Sequence, residues 1–324
     1  MKIAFFDAKP YDLIWFEALS TEYDYEIKYF EDKLNIDTAV LTSGFDAVCV
    51  FVNDSLTAPV IQILIDNGVR LIALRCAGYN NVDLEAAKDK IDVVRVPGYS
   101  PAAVAEHAAA LLLTINRKTH RAYNRTRDNN FNINGLIGFD LRGKTMGVIG
   151  TGRIGRIFVE IALGFGMRVI AYDPFPSEDE GFEYLSIDEV FEQSDVISLH
   201  CPLTPETRYI IGTESIEKMK DGVIIINTSR GALIDTSALI EGLKSKKIGA
   251  AGLDVYEEEE HFFFEDFSNE IIDDDELTML LSFPNVIVTS HQAFFTHEAM
   301  RSIAEVTLEN IRAFESGEEL VNRV

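Results

Sequence analysis

Arg230, Glu259 and His291 bring three complementary chemistries to one chain. A guanidinium fork can grip a carboxylate at two points, a carboxylate can orient a neighbour, and imidazole ordinarily titrates closest to neutral pH. Each follows a short apolar run. Val223 to Ile226 leads into Asn227-Thr228-Ser229-Arg230-Gly231, Gly249 to Leu253 ends in Asp254 and leads on to Glu259, and Val286 to Thr289 ends in Ser290-His291. Runs this short, bounded by polar residues, read as buried parallel strands, and open α/β sheets bind ligands at the carboxyl ends of their strands. Convergence of the three side chains on one site is the simplest reading. Taken singly, each has a plainer one: Arg230 as a surface charge, Glu259 as part of the solvated run Glu257 to Glu260, His291 as a core histidine.

A second constellation precedes these. Gly150-Thr151-Gly152-Arg153-Ile154-Gly155 follows the apolar run Met146 to Ile149 and opens a helical pattern, Ile154 to Leu163. In that context Gly150 permits a tight turn, Gly152 lets the backbone approach a pyrophosphate, Gly155 allows close helix–strand packing, and the helix N-terminus offers amides to the anion, with Arg153 adding charge. The next run ends Ala171-Tyr172-Asp173, an acid roughly 20 residues past the glycines, as expected of a ribose ligand. A carboxylate there would repel a 2′-phosphate, so NAD is expected rather than NADP. The alternative is an ordinary tight turn with Asp173 opening a loop before Pro174.

The elements that must position these residues alternate along the chain. Ile3 to Phe6, Tyr25 to Tyr29, Ala47 to Val52, Leu71 to Leu74 and Val93 to Val96 read as strands, with helical periodicity at Tyr11 to Leu19, Pro59 to Asn67 and Asp83 to Lys88. Ser100-Pro101 then caps and opens a helix expected to run from Ala102 to Arg121. A second series follows, with strands at Met146 to Ile149, Arg168 to Tyr172, Val196 to His200, Val223 to Ile226, Gly249 to Leu253 and Val286 to Thr289. Thr296 should cap a last helix, to about Phe314, long enough to return to the first layer. The expected architecture is α/β: two Rossmann-like or flavodoxin-like doubly wound parallel-sheet domains with an active-site cleft between them. Residues 1–100 with 297–324 would form a discontinuous substrate domain and 101–296 a dinucleotide-binding domain.

Composition narrows the partners. The 324 residues, 47% apolar, exceed what one core usually organises, which also argues for two domains. Against 29 basic residues stand 53 acidic ones, a net charge of −24 that repels phosphate backbones and anionic lipids, so neither nucleic acid nor a membrane is expected as a partner. Eleven of the acids lie between Glu257 and Glu276 without one Lys or Arg, so an anionic substrate bound nearby needs a specific arginine. Cys49, Cys76 and Cys201 are odd in number, widely spaced and without C-x-x-C, which fits a reducing compartment, the cytoplasm. No export signal or membrane span is read. Glu106-His107 and His297-Glu298 lack metal-ligand spacing and Asp273-Asp274-Asp275 lacks a calcium-loop pattern, so no metal and no catalytic role is expected there.

The motifs Gly150–Gly155, Asn227–Gly231, Asp254-Val255-Tyr256-Glu257 and Ser290-His291-Gln292-Ala293 resemble those of the D-isomer-specific 2-hydroxyacid dehydrogenases, and the resemblance covers essentially the whole chain. Leu74-Arg75-Cys76-Ala77-Gly78, Asn80-Asn81-Val82-Asp83, Tyr123 to Asp128 and Phe262 to Asp266 are similar to the fermentative bacterial branch that acts on pyruvate and D-lactate. The resemblance implies that Arg230 holds the substrate carboxylate with the Ala77 and Gly78 amides, that His291 exchanges the proton with the substrate oxygen, and that Glu259 supports the imidazole. It assigns Asp254 to the nicotinamide and His200, Cys201, Pro202, Thr207, Thr228 and Ser229, with the glycine loop, to the rest of the cofactor. Tyr99 and Phe294 would crowd the substrate side chain and favour a methyl group. The D configuration of the product is implied by resemblance alone. Two alternatives stay open: a dehydrogenase for a larger D-2-hydroxy acid such as 2-hydroxyisocaproate, and a non-enzymatic NAD(H)-sensing protein of the same fold. A homodimer or homotetramer through the cofactor domain is implied, and the apolar residues Tyr123, Phe131, Ile133, Leu136 and Phe139 suit such a patch or, equally, packing within the chain.

Overall fold

Short runs of buried apolar residues, too brief for helices, pair as parallel strands because helices cover both faces of the sheet they form. The computed structural model describes residues 1–177 and 181–324, and the chain divides into two compact units, Met1–Ser100 with Phe295–Val324, and Pro101–Phe294. The first unit opens β1 (Lys2–Phe5), α1 (Pro10–Ser20), β2 (Glu26–Tyr29), β3 (Ala47–Val50), α2 (Ala58–Asp66), β4 (Leu71–Leu74), α3 (Leu84–Ala87) and β5 (Asp92–Val94). Its strands are parallel in the order β2-β1-β3-β4-β5, a flavodoxin-like arrangement.

The second unit begins with α4 (Pro101–Arg117) and α5 (Thr119–Arg127). One helix from Ala102 to Arg121 was expected, and the structure corrects this. Lys118 takes a left-handed conformation, φ 50°, because a later segment occupies the space of the next turn. Asn116 exchanges side-chain hydrogen bonds with the backbone of Phe139, and a Cβ on Gly138 would stand 2.4 Å from the Asn116 carbonyl oxygen.

Next come β6 (Thr145–Ile149), α6 (Arg153–Gly164), β7 (Arg168–Tyr172), β8 (Glu183–Tyr184), α7 (Ile187–Gln193), β9 (Val196–Leu199), α8 (Thr213–Lys218), β10 (Val223–Asn227), α9 (Thr236–Lys244), β11 (Ile248–Leu253), α10 (Asp275–Ser282) and β12 (Val286–Val288). The strands pair in parallel as β12-β11-β10-β9-β6-β7-β8, so the order reverses between β9 and β6. Such a reversal opens a ligand crevice at the carboxyl ends of the two strands. On one face α4 and α6 pack together through Ala105, Ala108, Leu112, Phe158, Val159 and Ala162, with α4 also against β10, β11 and β12. Small residues set that approach: a Cβ on Gly252 in β11 would lie 3.1 Å from Leu111 Cβ.

The chain then closes with α11 (His297–Ser316) back in the first unit, where it packs on α1 and β4. Thr296 accepts the Ala299 amide as its N-cap, and Met300, Ile303, Ala304, Thr307, Leu308 and Ile311 form the buried stripe. Among the described residues no helix is long and apolar enough to cross a membrane.

Candidate active site

β6 is buried along its whole length and leads into Gly150, whose φ of +94° suits a residue without a side chain. The turn presses on the neighbouring strand end: a Cβ at Gly150 would meet Cys201 N at 2.6 Å, and one at Gly155 would meet Gly150 O at 2.1 Å. Gly152, by contrast, faces open space. It is also the N-cap of α6 and supplies no side-chain hydrogen bond, so the first-turn amides keep their capacity for an anion. Asp173, past the end of β7, accepts the Thr151 amide (2.7 Å) and hydroxyl (3.1 Å) on Oδ2 and the Phe175 amide (2.9 Å) on Oδ1. That fixes its carboxylate beside the loop.

Around the reversal point the strand ends are tied together. Ser229 Oγ donates to Cys201 O (2.7 Å), Ser229 N to Asn227 Oδ1 (3.0 Å), and Thr207 Oγ1 to Pro202 O (2.7 Å), so Ser229 and Thr207 spend their hydroxyls on holding loops. Burial pushes the Cys201 thiol up to about 11 and keeps it a thiol. His200 turns its ring to Ser198 Oγ (2.9 Å) and Phe158, and burial lowers it to about 3. It is therefore a neutral packing group beneath the loop and offers no charge to a diphosphate. Thr228 is the exception in this row: its buried Oγ1 finds no partner among the described residues. A buried polar atom left so is a vacancy in hydrogen bonding that a ligand's polar group can fill.

A carboxylate–imidazole pair also lies in this unit. Glu259 follows β11 and His291 follows β12, and Glu259 Oε1 stands 2.7 Å from His291 Nδ1 while its Oε2 accepts the Tyr256 amide at 2.9 Å. Both side chains are about one-fifth exposed, enough to meet a ligand. Phe264 flanks the imidazole with ring centroids 6.0 Å apart. Arg230 follows β10; its Nη1 donates to Ser229 O (2.7 Å) and its own carbonyl accepts from Asn227 Nδ2 (2.8 Å). Next to it, a Cβ at Gly231 would collide with Tyr256 C and O at 2.1 Å, so the arginine turn and the loop leading to Glu259 pass backbone to backbone.

Residues 109–293 match the model of the D-isomer specific 2-hydroxyacid dehydrogenase, NAD binding domain. The chain belongs to the D-isomer specific 2-hydroxyacid dehydrogenase family. A D-lactate dehydrogenase of Escherichia coli is 51% identical over all of both chains. A 2-hydroxyacid dehydrogenase homolog of Haemophilus influenzae is 51% identical over all of this chain and 99% of its own. The apo-structure of D-lactate dehydrogenase from Escherichia coli superposes with a TM-score of 0.92, at 48% identity and full coverage of both. As in this dehydrogenase family, the two units are parallel-sheet α/β domains and the cofactor is NAD. The residues fit it: open space over Gly152, uncapped amides at α6, an oriented carboxylate at Asp173 and an orphaned hydroxyl at Thr228.

In the first unit Ala77 and Gly78 follow β4 in a loop held from within. Arg95 Nη1 donates to Ala77 O (2.8 Å) and Cys76 Sγ to Gly78 O (3.3 Å). Arg75, 2% exposed between the Phe5 and Phe51 rings, anchors the loop's start by donating to Phe6 O (3.0 Å) and Asp7 O (2.7 Å). Tyr99 is half-buried in this unit, and Phe294, at the end of the other, is buried.

Sequence reasoning missed four participants: the Tyr256 amide, Phe264, Thr289 and His107. Thr289 donates to Asp254 Oδ1 (2.5 Å), and His107 Nε2 on α4 reaches both, at 3.1 Å from Thr289 Oγ1 and 3.3 Å from Asp254 Oδ1. The Glu106-His107 pair gave no signal, because the partner of His107 lies 182 positions away.

Proposed function

We propose that the chain reduces pyruvate to D-lactate with NADH, and that Arg230, Glu259 and His291 carry the reaction. The observation that carries this reading is the Glu259–His291 pair. With Nδ1 engaged by the carboxylate at 2.7 Å, Nε2 is the ring nitrogen left to face a substrate oxygen. Arg230 grips the substrate carboxylate and draws charge from the ketone, while His291 Nε2–H donates the proton that becomes the product hydroxyl. Bound NADH supplies the hydride. Glu259 keeps the imidazole oriented and balances its charge when protonated, and in oxidation His291 takes the proton back. Asp173 accepts the adenine-ribose hydroxyls, and Thr228 and the Gly150–Gly155 loop receive the diphosphate side; the nicotinamide role that the resemblance gives Asp254 would be indirect, since its carboxylate is fully buried. The roles of Ala77, Gly78, Tyr99 and Phe294 toward the substrate rest on the family resemblance.

Loss of NADH absorbance on adding pyruvate tests the reading, and kcat/KM for pyruvate should exceed that for 2-ketoisocaproate. The reverse ranking would assign the chain to larger hydroxy acids. Tight NADH binding without turnover would make it a sensor. A stereospecific lactate assay of the product should return the D form.

The same reading includes a homodimer or homotetramer through the cofactor unit and a cytoplasmic location. Tyr123, Phe131, Ile133 and Phe139 are exposed, with Phe131 at 74% and Ile133 at 78%, so the chain does not cover them itself. Phe131→Glu should lower the mass seen in sedimentation. Three free, buried cysteines support a reducing compartment.

A further inference from the structure

We propose that His107 is a positioning residue for the proton donor: from α4 it clamps the Thr289–Asp254 pair that sets the backbone of His291. The proposal rests on the reading of His291 as that donor.

His291 has φ 52°, a left-handed conformation that side chains rarely adopt, so the surrounding structure must impose it. The imposing group is Asp254. Its carbonyl accepts the His291 amide (2.7 Å), its Oδ1 the Gln292 amide (2.9 Å) and its Oδ2 the Ala293 amide (2.8 Å). Three successive amides starting at the imidazole therefore converge on one residue. That carboxylate is fully buried, at 0% exposure. Burial pushes its pKa up, but hydrogen bonds from His107, Thr289 and the Ala293 amide prevail and hold it below the ordinary aspartate value.

Hydrogen-bond bookkeeping fixes the part His107 plays. Thr289 has one hydroxyl proton, and at 2.5 Å it goes to Asp254 Oδ1. Nε2 of His107 then faces a carboxylate oxygen and a hydroxyl oxygen whose proton is committed, so Nε2 must carry hydrogen and donate to both. The ring is a side-chain donor to Asp254 that comes from outside the two loops bearing Asp254 and His291. It is mounted rigidly, since α4 is pressed against β11 where Gly252 leaves room for Leu111. Through this post the helix, the end of β11 and the end of β12 are held in one register, and the imidazole's aim follows from it.

The test uses the full chain and two variants of similar polarity. His107→Gln places an amide donor near the position of Nε2; His107→Asn is too short to reach. Expected for Asn is a kcat for pyruvate lower by about 10- to 100-fold, the scale of a small misplacement at a reacting group. NADH affinity by fluorescence and the unfolding midpoint should stay near the parent's, and Gln should restore most of the rate. If Asn matched the parent in kcat, or if Asn and Gln lost rate and stability together, the proposal would be overturned. Thr289→Val, which removes the shared hydroxyl, should reproduce the kcat loss of Asn; full activity there would equally overturn it. A parent that never turned over pyruvate would remove the functional reading and the proposal with it, whereas an active parent beside an equally active Asn variant removes the proposal alone.

Discussion

Glu259 offers one carboxylate oxygen to His291 Nδ1 and the other to the Tyr256 amide, so both of its oxygens meet donors. With its oxygen on the Tyr256 amide, glutamine turns its N–H2 group toward Nδ1, where it cannot accept a ring proton as Glu259 does. Glu259→Gln should therefore fold and bind NADH but lose orientation of the imidazole, lowering kcat by about 100-fold or more. Steady-state kinetics with pyruvate check this, and a variant within a few-fold of the parent would take Glu259 out of the mechanism.

Arg230 Nη1 donates to Ser229 O, which anchors one edge of the guanidinium to its own turn. Arg230→Lys keeps the charge but loses the fork and that anchor. KM for pyruvate should rise and kcat fall together, with kcat/KM lower by roughly two orders of magnitude, the cost of a lost charge-assisted bidentate contact. A change confined to KM would mean that the arginine binds substrate without helping the chemical step.

Much of this site was legible in the chain because it sits at strand ends. The runs before Gly150, Asn227 and Asp254 are apolar and mostly buried, and the run before His291 is apolar and half-buried, so their pattern shows where they stop, and the residues after them fall on the ligand side of the sheet. What stayed hidden depends on tertiary register. Nothing local distinguishes His107 from other helix residues, or shows that the His200 ring packs on Phe158. The break at Lys118 was likewise illegible, since its cause is a segment some twenty residues later, around Gly138, docking on Asn116.

His200 gives the fold an acid-side weakness. Unfolded, it takes up a proton near pH 6.5; folded, burial holds its pKa at about 3. A depressed histidine contributes stability that is full above 6.5 and is lost as pH falls from there toward 3, with a slope approaching 1.4 kcal/mol per pH unit. His200→Gln, which can keep the bond to Ser198, should flatten that limb. Urea unfolding of parent and variant near neutrality and near pH 5 measures it. Equal losses in both would show that His200 is not the group responsible.

Asp173 binds the loop as well as any ribose, through the Thr151 amide and hydroxyl. Asp173→Ala should then weaken NADH binding by about 10-fold and raise the ratio of NADPH to NADH use, since the repulsion of a 2′-phosphate goes with the carboxylate. Equal use of both cofactors by the parent would contradict the role.

Gly231 offers the most local test of how the site is assembled. Its missing side chain lets Tyr256 and Glu257 pass, and a Cβ would stand 2.1 Å from Tyr256 C and O and 2.4 Å from Glu257 N. Backbone cannot yield as a flexible side chain can, so Gly231→Ala must separate the Arg230 turn from the loop that carries Glu259. The overpacking should cost about 1–3 kcal/mol of stability, and kcat/KM should fall by more than that loss explains, because two functional groups move apart. Gly164→Ala is the control: at the end of α6, a Cβ there meets nothing within 4 Å. It should leave activity intact and raise or preserve the unfolding midpoint, as alanine does in a helix. If Gly231→Ala behaved like Gly164→Ala, the close passage of the two loops would not be what aligns the arginine with the Glu259–His291 pair.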